Sequence, residues 1–357
     1  QNSTSLGRGL LERENPRTEL PGHQEVLTGA DFLSRYLEPL SRCPALAPHL
    51  QKNLRVMAVG RKNRLKEERG VSTDQPFRLL LRGNDGKEKV EEADVVLDCT
   101  GVYGNRRPLG DGGIPAIGET EARSHIATGI EDMLGHRKSH YADKTTVVIG
   151  TGYSAATNVT LLARLAKQHT STWTIWLGRS PGSQPLRRIM NDPFRERDLL
   201  ASQANMLATR GEGNVEYHAS TIVSSIESLG KEGLAVTALI HGTRRRWEVD
   251  RVIANTGPEP DPALYRELQI MECGITLAPL QTCPGVLPDA IRPFLGPWER
   301  SQSTASEPNY FVLGEKSHGR VPHFLMQVGH QQIQAVFAHL MRKSELNLYR
   351  QPSSFTG

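Results

Sequence analysis

The 357-residue sequence predicts an α/β fold of two three-layer domains, one inserted into the other, each with a small antiparallel β-meander. Three observations lead to this fold class. A β-branched strand, a glycine-rich turn and a long helical pattern follow one another from residue 145. Another apolar strand follows that helix, as in a βαβ unit. The strings at residues 94–101 and 250–257 both end in Thr-Gly after strand-like runs, which indicates an internal duplication of a domain.

The N-terminal third is predicted to contain a loop, a short helix and three strands. Residues 1–30 show no clear period and are rich in Gly, Arg, Glu and Pro, so they are predicted to form a loop. Apolar residues at helical spacing after Thr28 predict a short amphipathic helix with Thr28 as its N-cap. Strands are predicted over Leu54–Gly60, Phe77–Leu81 and Ala93–Thr100. The third run is almost continuously apolar, which is typical of a strand buried in a parallel sheet.

The middle of the chain holds the predicted βαβ unit. Residues 102–140 are rich in Gly, Pro and charged residues and are predicted to be a connector. The strand Thr145–Ile149, the helix Ala155–Ala166 and the strand Thr172–Leu177 follow. Further strands are predicted over Val215–His218, Ile222–Glu227 and Leu234–Ile240.

Three further features lie in the last third of the chain. The basic run Arg244–Arg246 is interpreted as a solvated turn between strands. A short strand is predicted over Tyr310–Leu313, ending at Gly314. Pro322 then opens a helical pattern near the C-terminus.

The sharpest motif follows the strand at residue 149. It has the form G-x-G-x-x-A and consists of Gly150, Thr151, Gly152, Tyr153, Ser154 and Ala155. In a Rossmann-like unit the first glycine allows the tight turn, the second lets a pyrophosphate approach the backbone, and the small third residue lets the helix pack near the strand. The helix N-terminus offers free N–H groups to the phosphates. A purely structural glycine turn is the alternative interpretation.

The end of the second strand favours NADP(H) over NAD(H). An NAD site usually has an acidic residue there, whereas Arg accommodates a 2′-phosphate. This sequence has Gly178, Arg179 and Ser180 and no acid, with Arg187 and Arg188 further along the loop. A guanidinium can hold a phosphate with two hydrogen bonds. The alternative is that Arg179 is an exposed loop cation.

The duplication also predicts a truncated first domain. Gly150 precedes Gly257 by 107 residues (257 − 150). The same spacing before Gly101 falls ahead of residue 1, so the first domain is expected to lack its own nucleotide loop and its first βαβ unit.

These features resemble the two-dinucleotide-binding flavoproteins, which include thioredoxin- and glutathione-reductase-like enzymes and class B flavin monooxygenases. The resemblance covers roughly residues 28–341. It implies an FAD-binding outer domain and an inserted NAD(P)H-binding domain. The implied domains are residues 1–142 and 259–357 for an incomplete FAD domain, and 143–258 for the NADP domain.

The resemblance also implies roles for further residues. Thr100 and Gly101 would lie where the chain passes FAD, and Thr256 and Gly257 near the nicotinamide nucleotide. Gly314 and Glu315 stand where the family usually has Gly-Asp, whose carboxylate holds the flavin ribityl chain, so Glu is a departure by one methylene. The helix from Pro322 would direct its N-terminus at the flavin.

The implied function is an FAD-dependent, NADPH-utilising oxidoreductase, monooxygenase-like, with hydride transfer from NADPH to flavin. The GTGYSA form followed by Arg is similar to the monooxygenases, although their linker signature is not reproduced at Ile126–Ile130 and Met133. None of the cysteines (Cys43, Cys99, Cys273 and Cys283) forms C-x-x-C, which disfavours disulfide reduction. The alternatives are a truncated, non-catalytic nucleotide-binding module, a flavin reductase with a non-disulfide acceptor, and a scaffold protein on a degenerate flavoprotein fold.

The resemblance implies NADPH and a small-molecule substrate as partners, and composition disfavours other classes of partner. The net charge of +4 is small for a nucleic-acid binder. No apolar run approaches the roughly 20 residues that cross a bilayer, so no membrane association is expected. The cysteine usage suits a reducing cytoplasm. His136 and His140 share a helical spacing without a third ligand, so no metal site is expected. His318, Arg320 and His323 are interpreted as structural or phosphate-side residues rather than catalytic ones.

Overall fold

The chain folds into two compact units. The computed structural model describes residues 4–15, 19–22, 25, 27–68, 74–189, 194–230, 233–280, 307–321, 324–343, 345–347 and 349. The first unit comprises residues 1–105 and 259–357, and the second comprises Arg106–Pro258. The second unit therefore begins earlier than residue 143, the predicted start of the inserted domain. The reason is that part of the predicted connector forms a strand of its sheet.

The elements are numbered in chain order. The helices are α1 (Ser5–Glu14), α2 (Gly29–Phe32), α3 (Glu38–Arg42), α4 (Lys138–Tyr141), α5 (Tyr153–Ala166), α6 (Arg195–Arg210) and α7 (Met326–Leu340), and a π-helical turn, Leu33–Leu37, joins α2 to α3. The strands are β1 (Leu54–Arg61), β2 (Phe77–Gly83), β3 (Glu88–Ala93), β4 (Val96–Asp98), β5 (Ile126–Thr128), β6 (Thr145–Ile149), β7 (Trp173–Leu177), β8 (Val215–His218), β9 (Thr221–Ser228), β10 (Leu234–Ile240), β11 (Thr243–Val249), β12 (Arg251–Ala254) and β13 (Tyr310–Val312).

A five-stranded parallel sheet is the centre of the second unit. Its strand order is β5-β12-β6-β7-β8. Every neighbouring pair is parallel. The central strand β6 is almost wholly buried, because both faces of the sheet are covered. The carboxyl ends of β6, β7 and β12 therefore lie along one edge, where an α/β sheet usually binds its ligand.

Two apolar clusters make this unit three-layered. Helices α5 and α6 pack on one face of the sheet, around residues such as Val148, Trp176 and Ile253. The antiparallel meander β9-β10-β11 packs on the other face, where Val147 and Ile175 meet the buried side chains of the meander. The predicted three-layer architecture is confirmed here.

The first unit repeats this scheme with fewer described strands. Strands β1, β2 and β3 form a meander, and β4 pairs with β13 in parallel. Phe77, Tyr265 and Tyr310 belong to the cluster that joins the meander to the parallel pair. Phe311 and Val336 lie in the cluster between β13 and α7. Each unit thus has a meander followed by a parallel strand, as the duplication predicts.

The structure corrects several predicted elements. Arg244–Arg246 are part of strand β11 rather than a turn, and their side chains are exposed at the edge of the meander. The run predicted over Ala93–Thr100 is divided between the end of β3 and the short strand β4. Residues Ser5–Glu14 form a helix where a loop was predicted. Helix α7 begins at Met326; Pro322, the predicted start, lies outside the described residues.

Thr28 caps helix α2 as predicted. Its side chain accepts a hydrogen bond from the Asp31 backbone, and the Asp31 side chain accepts one from the Thr28 backbone. This reciprocal capping box satisfies two amides that the first helical turn would leave unpaired.

None of the helices in the described part of the chain combines the length and the apolar content that crossing a membrane requires.

Candidate functional site

The Gly150–Ala155 turn lies at the junction between a strand and a helix, as predicted. Strand β6 ends at Ile149, Gly152 is the N-cap of α5, and the helix begins at Tyr153. Gly150 has a φ of +123°, and a Cβ atom there would lie 2.3 Å from the Asn255 carbonyl oxygen. Only glycine fits both the backbone conformation and this close approach.

The backbone amides of the turn are available to a ligand. The first amide that the helix uses is that of Ala156, which donates to the Gly152 carbonyl at 3.0 Å. The backbone amides of residues 151–155 donate no backbone hydrogen bond to another described residue. A Cβ atom on Gly152 would meet nothing within 4 Å, and Gly152 is exposed. The turn therefore presents free N–H groups and open space, which are the requirements of a diphosphate cradle.

Strand β7 fixes the first residue of the turn. The Gly150 amide donates to the Leu177 carbonyl at 2.9 Å. The indole Nε1 of the fully buried Trp176 donates to the Gly150 carbonyl at 2.7 Å. Sequence reasoning assigned no role to Trp176, because its spacing from the glycine motif carries no signal of a contact.

The end of β7 packs directly against the turn. A Cβ atom on Gly178 would lie 2.5 Å from the Tyr217 hydroxyl and 2.7 Å from the Thr151 methyl group. Because Gly178 has no side chain, the end of β7 can approach both Tyr217 of β8 and Thr151 in the turn after β6. The next residues, Arg179 and Ser180, are exposed. No described side chain makes an ion pair with Arg179, so the structure leaves its guanidinium accessible beside the turn.

The loop after Ser180 presents Arg187 and Arg188 differently. The buried Leu186 anchors the loop, because the Asn205 side chain of α6 accepts from its amide at 3.0 Å and donates to its carbonyl at 2.8 Å. Arg188 is held by Asp198 through hydrogen bonds of 2.8 and 2.6 Å. That hydrogen-bonded carboxylate raises the pKa of the Arg188 guanidinium. Arg187 is exposed and makes no ion pair with another described residue.

An amide network ties α5 to the edge of the sheet. The Asn158 carboxamide is fully buried and donates to the Gly129 carbonyl at 2.8 Å and to the Asn255 side-chain oxygen at 2.9 Å. It also accepts from the Glu131 amide at 3.0 Å. Asn255 donates to the same Gly129 carbonyl at 2.8 Å. These residues could not be assigned from the sequence, because their contacts join segments that are far apart in the chain.

Thr256 and Gly257 are hydrogen-bonded to Arg107, near the start of the second unit. The Thr256 hydroxyl donates to the Arg107 carbonyl at 2.7 Å. The Arg107 amide donates to the Gly257 carbonyl at 3.0 Å. Gly257 has a φ of +84°, and its counterpart Gly101 in the first unit has a φ of +68°. The two Thr-Gly ends therefore share a left-handed glycine, as expected of duplicated units.

A buried ion pair lies beside Thr100 in the first unit. The Asp98 carboxylate and the Lys316 ammonium are 2.8 Å apart, and both side chains are almost completely buried. The Thr100 hydroxyl donates to Asp98 at 2.7 Å and accepts from Lys316 at 3.1 Å. The Tyr310 hydroxyl donates to the same carboxylate, and burial followed by the Asp98 charge raises the pKa of this phenol. The pair thus joins the carboxyl ends of β4 and β13.

Gly314 and Glu315 follow β13 at the same edge. The Gly314 amide donates to the Gln332 side chain of α7 at 2.9 Å. Cβ atoms on Gly101 and Gly314 would meet nothing within 4 Å, so both strand ends are open to a ligand. Burial raises the pKa of the Glu315 carboxyl, and a hydrogen bond with Tyr103 opposes the shift.

The remaining candidates have structural partners. The Nδ1 atom of the buried His318 lies 3.1 Å from the Ser317 hydroxyl. Arg320 is paired with Glu259 at 2.6 Å. His323 and Cys283 lie outside the described residues. In the described ranges, no three His, Cys, Asp or Glu side chains form a group that could hold a metal ion.

Comparisons with known proteins identify the fold. No model of a protein family matches the sequence, and a search of curated proteins found no match. The structure is similar to the bacillithiol disulfide reductase Bdr (YpdA) from Bacillus cereus, with a TM-score of 0.62, 17% identity, and coverage of 90% of this chain and 82% of that one. It is also similar to thioredoxin reductase from T. acidophilum, with a TM-score of 0.54, 13% identity and coverage of 95% of both chains.

A monooxygenase shares the same fold. FAD-bound DfoA, the cadaverine monooxygenase of Erwinia amylovora, has a TM-score of 0.52 and 14% identity, with coverage of 90% of this chain and 76% of that one. At these identities the likenesses establish the fold. The chain has the two-domain fold of the FAD/NAD(P)-binding oxidoreductases.

Proposed function

We propose that this chain is an NADP(H)-binding flavoprotein oxidoreductase. The observation that carries the proposal is the turn from Gly150 to Ala155. Its amides are free of described protein acceptors, and Gly152 leaves open space above them. Those N–H groups and the positive end of the α5 dipole would bind the diphosphate of a dinucleotide.

The charge at the end of β7 supports NADP(H) rather than NAD(H). Gly178 lies against Thr151 of the turn. The exposed Arg179 is the next residue in the chain, so it lies close to the turn. No carboxylate stands at residues 178–180 to accept hydrogen bonds from a ribose 2′-hydroxyl. Arg179 and Ser180 would hold the 2′-phosphate, and Arg187 would contribute charge from the same loop.

The first unit is proposed to hold the flavin end of FAD. The carboxyl ends of β4 and β13 are adjacent, and their glycines, Gly101 and Gly314, are open. The Thr100 hydroxyl is already engaged by Asp98 and Lys316, so contact at β4 would come from its backbone. Glu315 would accept hydrogen bonds from the ribityl hydroxyls. Bound FAD supplies the acceptor for a hydride from NADPH.

We further propose that the reaction is monooxygenase-like, with reduction of a non-disulfide acceptor as the second candidate. The described cysteines, Cys43, Cys99 and Cys273, are unpaired, and two of them are buried. Among the described residues, no two cysteines are arranged as a dithiol relay. Reductase activity is retained as the second candidate, because the structure is similar to a reductase as well as to a monooxygenase.

The proposal is tested by calorimetric titration of the protein with 2′-phospho-ADP-ribose and with ADP-ribose. We expect saturable binding of the first and at least about tenfold weaker binding of the second, which corresponds to one charged hydrogen-bonded pair. Equal and weak binding of both ligands would remove the assignment to NADP(H).

A second experiment separates the activities. NADPH oxidation is followed with added FAD, in the presence of oxygen or of a one-electron acceptor such as ferricyanide. Oxygen-dependent oxidation supports a monooxygenase, and acceptor-dependent oxidation alone supports a reductase. Nucleotide binding without oxidation in either case would leave a non-catalytic nucleotide-binding module.

A further inference from the structure

We propose that Trp176 is a positioning residue for the dinucleotide diphosphate, acting through the peptide bond between Gly150 and Thr151. The inference rests on the proposed function, because the diphosphate is its ligand. The indole N–H is inferred to hold this peptide in the one orientation that presents the Thr151 amide to an anion.

The hydrogen bonds of Gly150 define that orientation. Both its polar backbone groups bind strand β7: the amide donates to Leu177 at 2.9 Å, and the carbonyl accepts from the Trp176 indole at 2.7 Å. In a trans peptide the C=O and the following N–H point in opposite directions. The Thr151 N–H therefore points away from the buried indole, and no described residue accepts a hydrogen bond from it.

Without the indole donor this peptide is poorly restrained. Gly150 has a φ of +123°, in a region where glycine has unusual conformational freedom. A flipped peptide would turn the Gly150 carbonyl toward the approaching anion and the Thr151 amide away from it. The carbonyl oxygen would then repel a phosphate that the amide should bind. The hydrogen bond from Trp176 disfavours the flip, because a flipped peptide would leave the buried indole N–H without an acceptor.

The neighbours of Trp176 hold the indole in place. The Tyr217 ring packs on the indole at a centroid distance of 5.1 Å. The Tyr217 hydroxyl lies against Gly178, which also lies against the Thr151 methyl group. Trp176 itself has no exposed surface and belongs to the cluster between the sheet and helices α5 and α6. The donor is thus fixed by packing before any ligand arrives, which is how binding sites are preorganised.

The test removes the indole N–H while preserving the shape of the side chain. Trp176 is replaced by 3-benzothienylalanine, in which sulfur takes the place of the N–H group, and in parallel by Phe (W176F). We expect the affinity for 2′-phospho-ADP-ribose to fall about tenfold, the effect of one hydrogen bond to a correctly oriented peptide. Binding of adenosine 2′-monophosphate, which carries no diphosphate, is expected to stay unchanged. A general loss of packing would weaken both ligands together.

The matched control is Trp173→Phe. Trp173 lies in the same strand, but it is 43% exposed and far from the turn in register. The substitution is expected to leave the affinities for 2′-phospho-ADP-ribose and adenosine 2′-monophosphate at the wild-type values.

The outcomes separate this inference from the proposed function. Unchanged affinity of the benzothienyl variant for 2′-phospho-ADP-ribose overturns the role of Trp176 and leaves the nucleotide site intact. Failure of the wild type to bind either ligand overturns the proposed function and, with it, the role in binding. Independently of ligand, the Trp176 indole proton is expected to be protected from hydrogen exchange in a nuclear magnetic resonance experiment. Rapid exchange would contradict the hydrogen bond itself.

Discussion

The side chains of Asn158 and Asn255 are joined by a 2.9 Å hydrogen bond that connects helix α5 to the end of strand β12. Both also donate to the Gly129 carbonyl. The bond is buried on the helix side and brings together the segments after β5, β6 and β12. The edge of the sheet that carries the glycine turn is therefore held by polar contacts as well as by apolar packing.

Replacing Asn158 with Ala is expected to destabilise the protein by about 2 to 3 kcal/mol. The substitution removes three hydrogen bonds and leaves the Glu131 amide without its acceptor, and unmet buried polar groups cost about 1 to 3 kcal/mol each. Urea denaturation measures the change. Arg164→Ala, at an exposed position of the same helix, is the control and is expected to change stability by less than about 0.5 kcal/mol. Equal effects of the two substitutions would show that the network contributes little.

Arg179 and Arg188 are expected to differ in their effect on nucleotide selectivity. Arg179→Ala should weaken binding of 2′-phospho-ADP-ribose selectively, by about 1 to 3 kcal/mol for a charged hydrogen-bonded pair. Arg188→Ala should leave the preference almost unchanged, because Asp198 already holds that guanidinium. The ratio of the affinities for 2′-phospho-ADP-ribose and ADP-ribose is the measurement. Loss of the preference in Arg188→Ala alone would mean that the ion pair opens to receive the phosphate.

Removal of the Lys316 ammonium is expected to be strongly destabilising. Lys316→Met leaves the Asp98 carboxylate buried without its countercharge, at a cost of about 3 to 5 kcal/mol. Adding Asp98→Asn should restore part of the stability, because the remaining uncompensated charge is removed. Thermal unfolding of the single and double variants checks this. The exposed pair of Lys87 and Asp85 provides the control, since Lys87→Met should change stability by less than about 1 kcal/mol.

Stability is expected to fall as the pH drops below about 6.5, in part because of His318. Burial lowers the pKa of its imidazole from the ordinary 6.5, against a smaller opposite effect of a backbone hydrogen bond. Between pH 6.5 and the lowered pKa of the folded state, the unfolded chain binds more protons than the folded one, so protonation favours unfolding in that interval. His318→Gln should reduce the slope of unfolding free energy against pH between about 7.5 and 5.5. The exposed His125→Gln is the control, and identical slopes for both variants would contradict the assignment.

The sequence predicted most of the apolar strands of the second unit well, because their pattern is set by the core. Strands β6, β8 and β10 have the predicted limits, and all three contribute to the apolar clusters of the second unit. Strands β3 and β11 were not predicted. Their side chains are charged and largely exposed, as is common at sheet edges, so they lack the apolar alternation that identifies a strand.

The candidate site was predictable only in part, for a related physical reason. The glycine turn could be located, because its residue types are dictated by local backbone conformation and by the ligand's approach. Trp176, Asn158 and Asp198 could not be assigned roles, since their hydrogen bonds depend on which strands and helices become neighbours in space. The same applies to Lys316, which meets Asp98 only when β13 pairs with β4.

The proposed diphosphate site at the amides around Gly152 depends on the open space at this glycine, which Gly152→Ala fills. Gly152 has a φ of −81° and a ψ of 177°, which alanine adopts readily, and its Cβ atom would meet no protein atom within 4 Å. The fold should therefore keep its stability to within about 0.5 kcal/mol, while the methyl group occupies the space that the phosphates need.

The decisive measurement is the affinity of the wild type and of Gly152→Ala for 2′-phospho-ADP-ribose, with the unfolding free energy of each determined in parallel. We expect binding by the wild type, at least about tenfold weaker binding by the variant, and equal stabilities. Equal affinities in two equally stable proteins, or no binding by the wild type, would show that these amides do not bind a diphosphate.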